Sequence, residues 1–197
     1  QLRISLADSH PEIWRQVAIA DSSTFWDLHV AVQDAMGWSD SHLHEFEVRE
    51  PGADKGAPIV RVGIPDDILG DEVVPGWEAP VSKYLRKVGD KAVYTYDFGD
   101  DWRHTIRLEG ILKADPAVTY PACTGGERAC PLEDSGGVYG YMHMLEVLED
   151  RSDPDYGEIS EWIRDAVGKC GKFDPATFAP GKVVFTDAAI RLKKKFG

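Results

Sequence analysis

The sequence is short of several things, and each shortage excludes a class of protein. No stretch approaches the run of about 18 apolar residues that a membrane-spanning helix needs. The opening residues, Gln1-Leu2-Arg3-Ile4-Ser5-Leu6, alternate as a strand does and lack the basic start and apolar centre of a secretion signal. The chain does not begin with Met, which points to a start inside a slightly longer product. There are only three cysteines, an odd number in a chain without a secretion signal. That excludes a disulfide framework and fits a reducing cytoplasm, with free thiols or a metal site. Both nucleotide-binding glycine patterns are missing. Gly125-Gly126 and Gly136-Gly137 are doublets without a following Lys-Ser/Thr, and no Gly-x-Ser-x-Gly elbow is present.

Positive charge is also scarce. Lys and Arg number 22 against 34 Asp and Glu, a formal net charge of -12. Such a surface repels a phosphate backbone, so nucleic acid is not an expected partner. The one basic cluster is Arg191-Leu192-Lys193-Lys194-Lys195, which suits the C-terminal turn of a helix, where cations complement the helix dipole.

What remains is an ordinary globular balance: 197 residues, 43% hydrophobic and 28% charged. With no repeat, low-complexity tract or linker, residues 1–197 are expected to form a single domain. Residues 2–6 and 12–20 read as an opening hairpin. Thr24 followed by Asp27 resembles a capping box, and Phe25, Leu28, Val32 and Ala35-Met36 recur at helical spacing up to Gly37. Trp26 and His29 fall off that stripe and read as boundary residues. His42 and His44 flank the start of a strand at 44–50 and read as a hydrogen-bonded surface pair, with a ligand role as the rival reading. A further strand is expected at 59–64, then a long acidic connection at 65–80 and a helical turn from Val81. Residues 113–138 read as a second long connection, followed by helices over 139–150, 158–167 and 187–195. The fold class is therefore α+β: a mixed or antiparallel sheet, begun by a hairpin–helix–strand unit and covered by helices from the C-terminal half.

The densest chemistry lies in Tyr94-Thr95-Tyr96-Asp97-Phe98-Gly99-Asp100-Asp101-Trp102-Arg103-His104, which holds three carboxylates, a histidine and four aromatic rings. It reads as two strands, 91–97 and 102–112, around an acidic turn. Tyr94, Tyr96 and Phe98 share one parity and Asp97 the other, so one face is aromatic.

This hairpin and the loop after it resemble the Ri-plasmid open-reading-frame-three-like proteins, a plasmid- and transposon-associated family. The resemblance rests on Tyr96-Asp97-Phe98-Gly99-Asp100-Asp101-Trp102-Arg103-His104, on Tyr120-Pro121-Ala122-Cys123, and on Gly125-Gly126-Glu127-Arg128-Ala129-Cys130-Pro131. It continues in Glu133-Asp134-Ser135-Gly136-Gly137 through Gly140-Tyr141, with Ile13-Trp14-Arg15, Gly37-Trp38, His42-Leu43-His44 and Phe173-Asp174-Pro175 in support. It implies an α+β domain with an unassigned molecular function and lends no catalytic residue list. The chain departs from the family pattern at Pro131-Leu132, where two prolines are expected, and at Ser135, where many members carry a third cysteine. Some members are labelled resolvase-like. A recombinase needs a nucleophilic Ser or Tyr, phosphate-binding arginines and a basic DNA-binding module, and this chain shows no such constellation.

Three site hypotheses follow. Cys123 and Cys130 could hold zinc with Cys170, His104 or His143, yet six residues separate them, wider than the usual spacing of about two to four. The plainer reading is two packed thiols. Asp97, Asp100, Asp101, His104, Glu133 and Asp134 form a carboxylate–histidine set suited to magnesium or calcium and to water activation on a phosphoester. Taken singly, each acid also suits turn or helix-cap chemistry, Glu133-Asp134 as a cap for the following helix. Finally, aromatics near polar loops suit recognition without chemistry: Trp102, Tyr96 and Tyr141 with Arg103, and also Trp38, Trp77 and Tyr139. The residues weigh toward a recognition module for a protein or small polar ligand, with no resident cofactor. The alternative is a metal-dependent phosphoester hydrolase using Asp97, Asp100, His104, Glu133 and Asp134.

Overall fold

The computed structural model describes residues 1–54, 56–65, 73–168 and 172–197. The elements in chain order are β1 (Leu2–Leu6), β2 (Trp14–Ala18), α1 (Phe25–Met36), β3 (His44–Arg49), β4 (Ile59–Gly63) and β5 (Val74–Pro75). There follow α2 (Val81–Tyr84), β6 (Lys91–Tyr96), β7 (Trp102–Leu108), β8 (Ala122–Glu127), α3 (Gly137–Glu149), α4 (Tyr156–Val167) and α5 (Ala188–Phe196), with a 3-10 turn at Pro180–Lys182 before the last. The eight strands form one mixed sheet in the order β5-β4-β3-β6-β7-β1-β2-β8. Every pairing is antiparallel except β4 with β5. This is the α+β class expected from the sequence. Among the described residues no helix is long and apolar enough to cross a membrane.

Period-two alternation builds the inner face. Val62, Phe46, Tyr94, His104 and Leu6 pair across neighbouring strands in one continuous row. His44, Tyr96 and Trp102 form the next row. All eight are buried, so the sheet presents a wall of rings to α1. α1 starts where the capping box predicts. Thr24 Oγ1 accepts from Asp27 N at 3.2 Å, and Asp27 Oδ2 accepts from Thr24 N at 2.7 Å. A cap of this kind contributes about 1 kcal/mol.

Two expectations change. Trp26 and His29 are not boundary residues: they are 2% and 0% exposed. A single apolar stripe predicts one buried helix face, but His29 is stacked on His44 and bonded to Tyr94 Oη in the sheet, and α5 covers Trp26 on a further face. Trp26 Nε1 donates to Ala188 O at 2.8 Å, while Arg191 and Lys195 pair with Asp34 (2.7 Å) and Asp40 (2.9 Å). The basic cluster of α5 therefore docks on α1 rather than only facing its own helix dipole. The second change is β8, which lies inside the expected 113–138 connection. Its sequence, Ala-Cys-Thr-Gly-Gly-Glu, shows neither alternation nor β-branched enrichment, and it is an edge strand whose register shifts at Gln16/Val17. Much of the acidic 65–80 connection lies outside the described residues.

Three histidines belong to the buried core. Among them, His44 is 0% exposed and so not half of the surface pair expected with His42, because β3 turns its ring onto the inner face of the sheet. His29 and His44 stack with centroids 3.4 Å apart and planes 7° apart, and His104 lies beneath Tyr94. Burial lowers the pKa of His29, holds His44 well below the usual value, and brings His104 down to about 4. The unfolded chain protonates first as pH falls, so the stabilisation is complete above about pH 6.5 and is lost as pH drops toward His104's folded value. His104 alone should cost on the order of 3 kcal/mol across that window. Urea midpoints measured from neutral to mildly acidic pH should fall steadily, and His104→Gln should flatten the slope. A flat wild-type profile would refute the buried neutral state.

Candidate functional site

The site forms where three loops meet at one end of the sheet. β6 stops at Tyr96, and Asp97 leaves it with a left-handed φ of 54°, a conformation Asp tolerates better than most residues. Asp97 N donates to Leu43 O at 2.9 Å, and Asp97 Oδ1 accepts from Gly99 N at 2.9 Å. The break in the strand explains why face alternation ends here, leaving Phe98 exposed while Asp97 is buried.

The loop between β8 and α3 is fastened to this turn and to the α1–β3 loop. Glu133 Oε1 accepts from Tyr96 Oη at 2.6 Å, and Oε2 accepts from Ser39 Oγ at 2.6 Å and Ser39 N at 3.0 Å. Asp100 Oδ2 accepts from Gly136 N at 3.2 Å, and a Cβ on Gly137 would collide with the Asp100 carbonyl. Trp38 Nε1 donates to Pro131 O at 3.0 Å. The helix cap at α3 is thus assisted by Asp100 from the hairpin, while Glu133 is spent on the other two loops. Burial and the neighbouring Glu133 carboxylate raise the Tyr96 hydroxyl far above its usual value, which keeps it a donor.

The fastening brings Asp134 beside Asp97 and His42. His42 Nε2 lies 3.6 Å from Asp97 Oδ2 and 3.4 Å from Asp134 Oδ1. Charge-assisted hydrogen bonds are shorter, about 2.7–2.9 Å. His42 Nε2 makes no hydrogen bond although it is shielded from solvent. One donor atom from each of the three residues lies within 4.8 Å of the others. With metal–ligand distances of about 2.0–2.2 Å, neighbouring donors around one ion stand roughly 3 to 3.5 Å apart, close to the observed separations.

A second donor group, His29, Asp40 and His44, satisfies the same proximity criterion but suits an ion poorly. Its imidazoles are stacked, so their in-plane lone pairs run in parallel sheets and do not converge. Asp40 is already taken by Lys195 at 2.9 Å and His29 at 3.1 Å.

The other expected residues disperse. His104 is buried on the inner face, and its Nδ1 hydrogen-bonds Trp102 O at 3.1 Å, away from the carboxylates. Trp102, Tyr96 and Tyr141 are core residues, so their ring faces are closed to a ligand, and Arg103 is exposed and paired with Asp101 at 2.9 Å. Trp38 is likewise buried, while Tyr139 is exposed. Cys123 sits on β8 with Sγ donating to Gly125 O, and Cys130 is buried, with its thiol pushed up to about 12 by desolvation. Among the described residues neither joins a group of three donors, and Cys170 lies outside them. His143 is exposed on α3. The histidine beside the carboxylates is His42. Its signal in the sequence was its place two residues before a strand, where alternation no longer fixes the side chain.

Next to this group lies a cleft of about 760 Å³ between the C-terminal end of α1, residues 129–134 and residues 173–184. Arg15, Trp38, Cys130, Asp134, Phe178 and Lys182 line it, so Asp134 borders both features.

An eight-stranded α+β sheet with a histidine–carboxylate group at its hairpin turn is thus the class of protein at hand. The family model described as plasmid pRiA4b ORF-3-like protein matches residues 1–182, and the chain belongs to that family. It is 32% identical over 200 residues to an uncharacterized protein, y4hQ, of Sinorhizobium fredii (strain NBRC 101917 / NGR234), covering 99% of this chain and 94% of that one. It is also similar to the crystal structure of a protein of unknown function, MM3350, from Methanosarcina mazei Go1. That likeness has a TM-score of 0.81 at 42% identity and covers 93% of this chain and 96% of the other.

Tyr96→Phe removes the donor to Glu133 and the acceptor for Ser41 N (3.0 Å). It should cost about 1–3 kcal/mol in chemical denaturation. Glu133→Gln in the Tyr96→Phe background should add less than it does alone. Strict additivity would mean that the two do not act as one junction.

Proposed function

We propose that the protein is a recognition module that works through one divalent cation held by His42, Asp97 and Asp134, presenting the ion to a polar group of a protein or small ligand. The observation that carries this reading is the pair of facing donor atoms. Asp97 is 9% exposed, and among the described residues its Oδ2 has no hydrogen bond and the facing His42 Nε2 is buried and unpartnered. Among the described residues no Lys or Arg forms an ion pair with Asp97 or Asp134. The group facing both carboxylates is an imidazole, which is a counter-charge only when protonated, and a cation between the three groups compensates the buried carboxylate without that proton. One imidazole with two carboxylates suits zinc or manganese better than magnesium. Asp134 is exposed, which leaves the outer side of the ion open to a ligand.

The open side also supports the hydrolase reading, in which the ion polarises a phosphoester and activates water. The recognition reading is preferred because the two groups expected to move protons are otherwise occupied. Glu133 holds Tyr96 and Ser39, and His104 is buried elsewhere. The free thiols Cys123 and Cys130 support a cytoplasmic setting.

Calorimetric titration of chelator-treated protein with zinc and manganese should give one site per chain and a rise in melting temperature. Asp97→Asn and His42→Gln should each weaken binding by at least about tenfold while the far-ultraviolet spectrum is kept. Failure of both ions to bind, or equal binding by both variants, would sink the site. Metal-dependent turnover of a phosphodiester that Asp97→Asn abolishes would transfer the reading to the hydrolase.

A further inference from the structure

A second site, independent of the cation, is carried by Arg15. It stands on β2 with its side chain on the inner face and is 1% exposed. A guanidinium stays charged even when buried. Nε donates to Ala35 O at 2.9 Å, and Nη1 donates to Trp14 O at 2.8 Å and Glu127 O at 3.0 Å. The Phe178 ring lies 3.6 Å from the guanidinium carbon. Gly126, the register partner of Arg15, makes that stacking possible, because a Cβ there would strike the Phe178 ring. Three carbonyls and a ring therefore fix the fork in place. Among the described residues Nη2 has no hydrogen-bond partner, and no carboxylate forms an ion pair with the guanidinium. Arg15 lines the cleft beside α1, so its uncompensated charge borders that space.

The rest of the cleft narrows the ligand. A volume of about 760 Å³ suits a small molecule. Trp38, Phe173 and Phe178 give it apolar walls, and Lys182 is exposed among its lining residues. Its acids are otherwise engaged: Asp34 with Arg191 and Thr186, Glu133 with Tyr96 and Ser39, and Asp134 facing His42. Those acids and the C-terminal end of α1 still make the walls electronegative, which disfavours a doubly charged phosphate. One buried cation matches one negative charge. We propose that this cleft binds the carboxylate of a small apolar acid, with Arg15 Nη2 donating to the carboxylate and the aromatic walls holding the apolar body.

The test uses the full chain in chelator, so that the outcome does not depend on the cation. Benzoate, benzamide and phenyl phosphate are titrated by calorimetry, and the Arg15 guanidinium resonances are followed by nuclear magnetic resonance. Benzoate should bind one per chain and shift those resonances, while benzamide, which has the same shape without the charge, should bind at least about tenfold more weakly. Arg15→Lys keeps the charge but loses the spare nitrogen and should weaken benzoate binding. Because Arg15 also braces three carbonyls, that variant reads folding as well as binding, and the wild-type resonance shift decides the matter without it. No benzoate binding at millimolar concentration, binding that leaves the Arg15 resonances unmoved, or equal binding of benzamide would overturn the proposal. Tighter binding of phenyl phosphate would overturn the assignment to carboxylates.

Discussion

The arrangement at this end of the molecule depends on the carboxylate of Glu133. It accepts three hydrogen bonds, from Tyr96 Oη, Ser39 Oγ and Ser39 N. Those donors come from the end of β6 and from the loop after α1, two segments that are not adjacent in sequence. A charged acceptor makes such bonds about twice as strong as neutral ones. The β8–α3 loop held there carries Asp134 next to Glu133, and this brings its carboxylate to 3.4 Å from His42 Nε2. The Trp38–Pro131 and Asp100–Gly136 bonds act in the same direction from either side.

Local grammar made much of this legible. The capping box at Thr24 and Asp27, the alternation of β1 and β6, and the acidic hairpin turn each follow from short-range rules, and the structure has them where the residues place them. Non-local coverage was not legible. Trp26 and His29 sit off the apolar stripe of α1: α5, arriving from the far end of the chain, covers Trp26, while His29 is taken up by the sheet, stacked on His44 and hydrogen-bonded to Tyr94 Oη. β8 is made a strand by its partner β2 rather than by its own residues. Of the carboxylates, the convergence of Asp97 with Asp134 followed from two acidic loops of similar character, but the histidine that joins them is His42, since β7 turns His104 inward.

The two histidine groups show how little composition decides. His29, His44 and Asp40 offer the same donor types as His42, Asp97 and Asp134. In the first group the rings stack, and side-chain cations from α5 supply the charge that Asp40 needs. In the second the donors stand beyond hydrogen-bonding distance and, among the described residues, no Lys or Arg pairs with the carboxylates. The difference lies in which element reaches each carboxylate, which is a property of topology.

α5 lies beyond residue 182, where the family match ends, yet it closes the outer side of α1. The sheet and both candidate sites are built almost wholly from residues before that point. The molecule is thus divided between a scaffold that holds both candidate sites and a terminal helix that braces it. The brace contributes no strand, so what it sets is how tightly Trp26 and Asp40 are covered, not the order of the sheet.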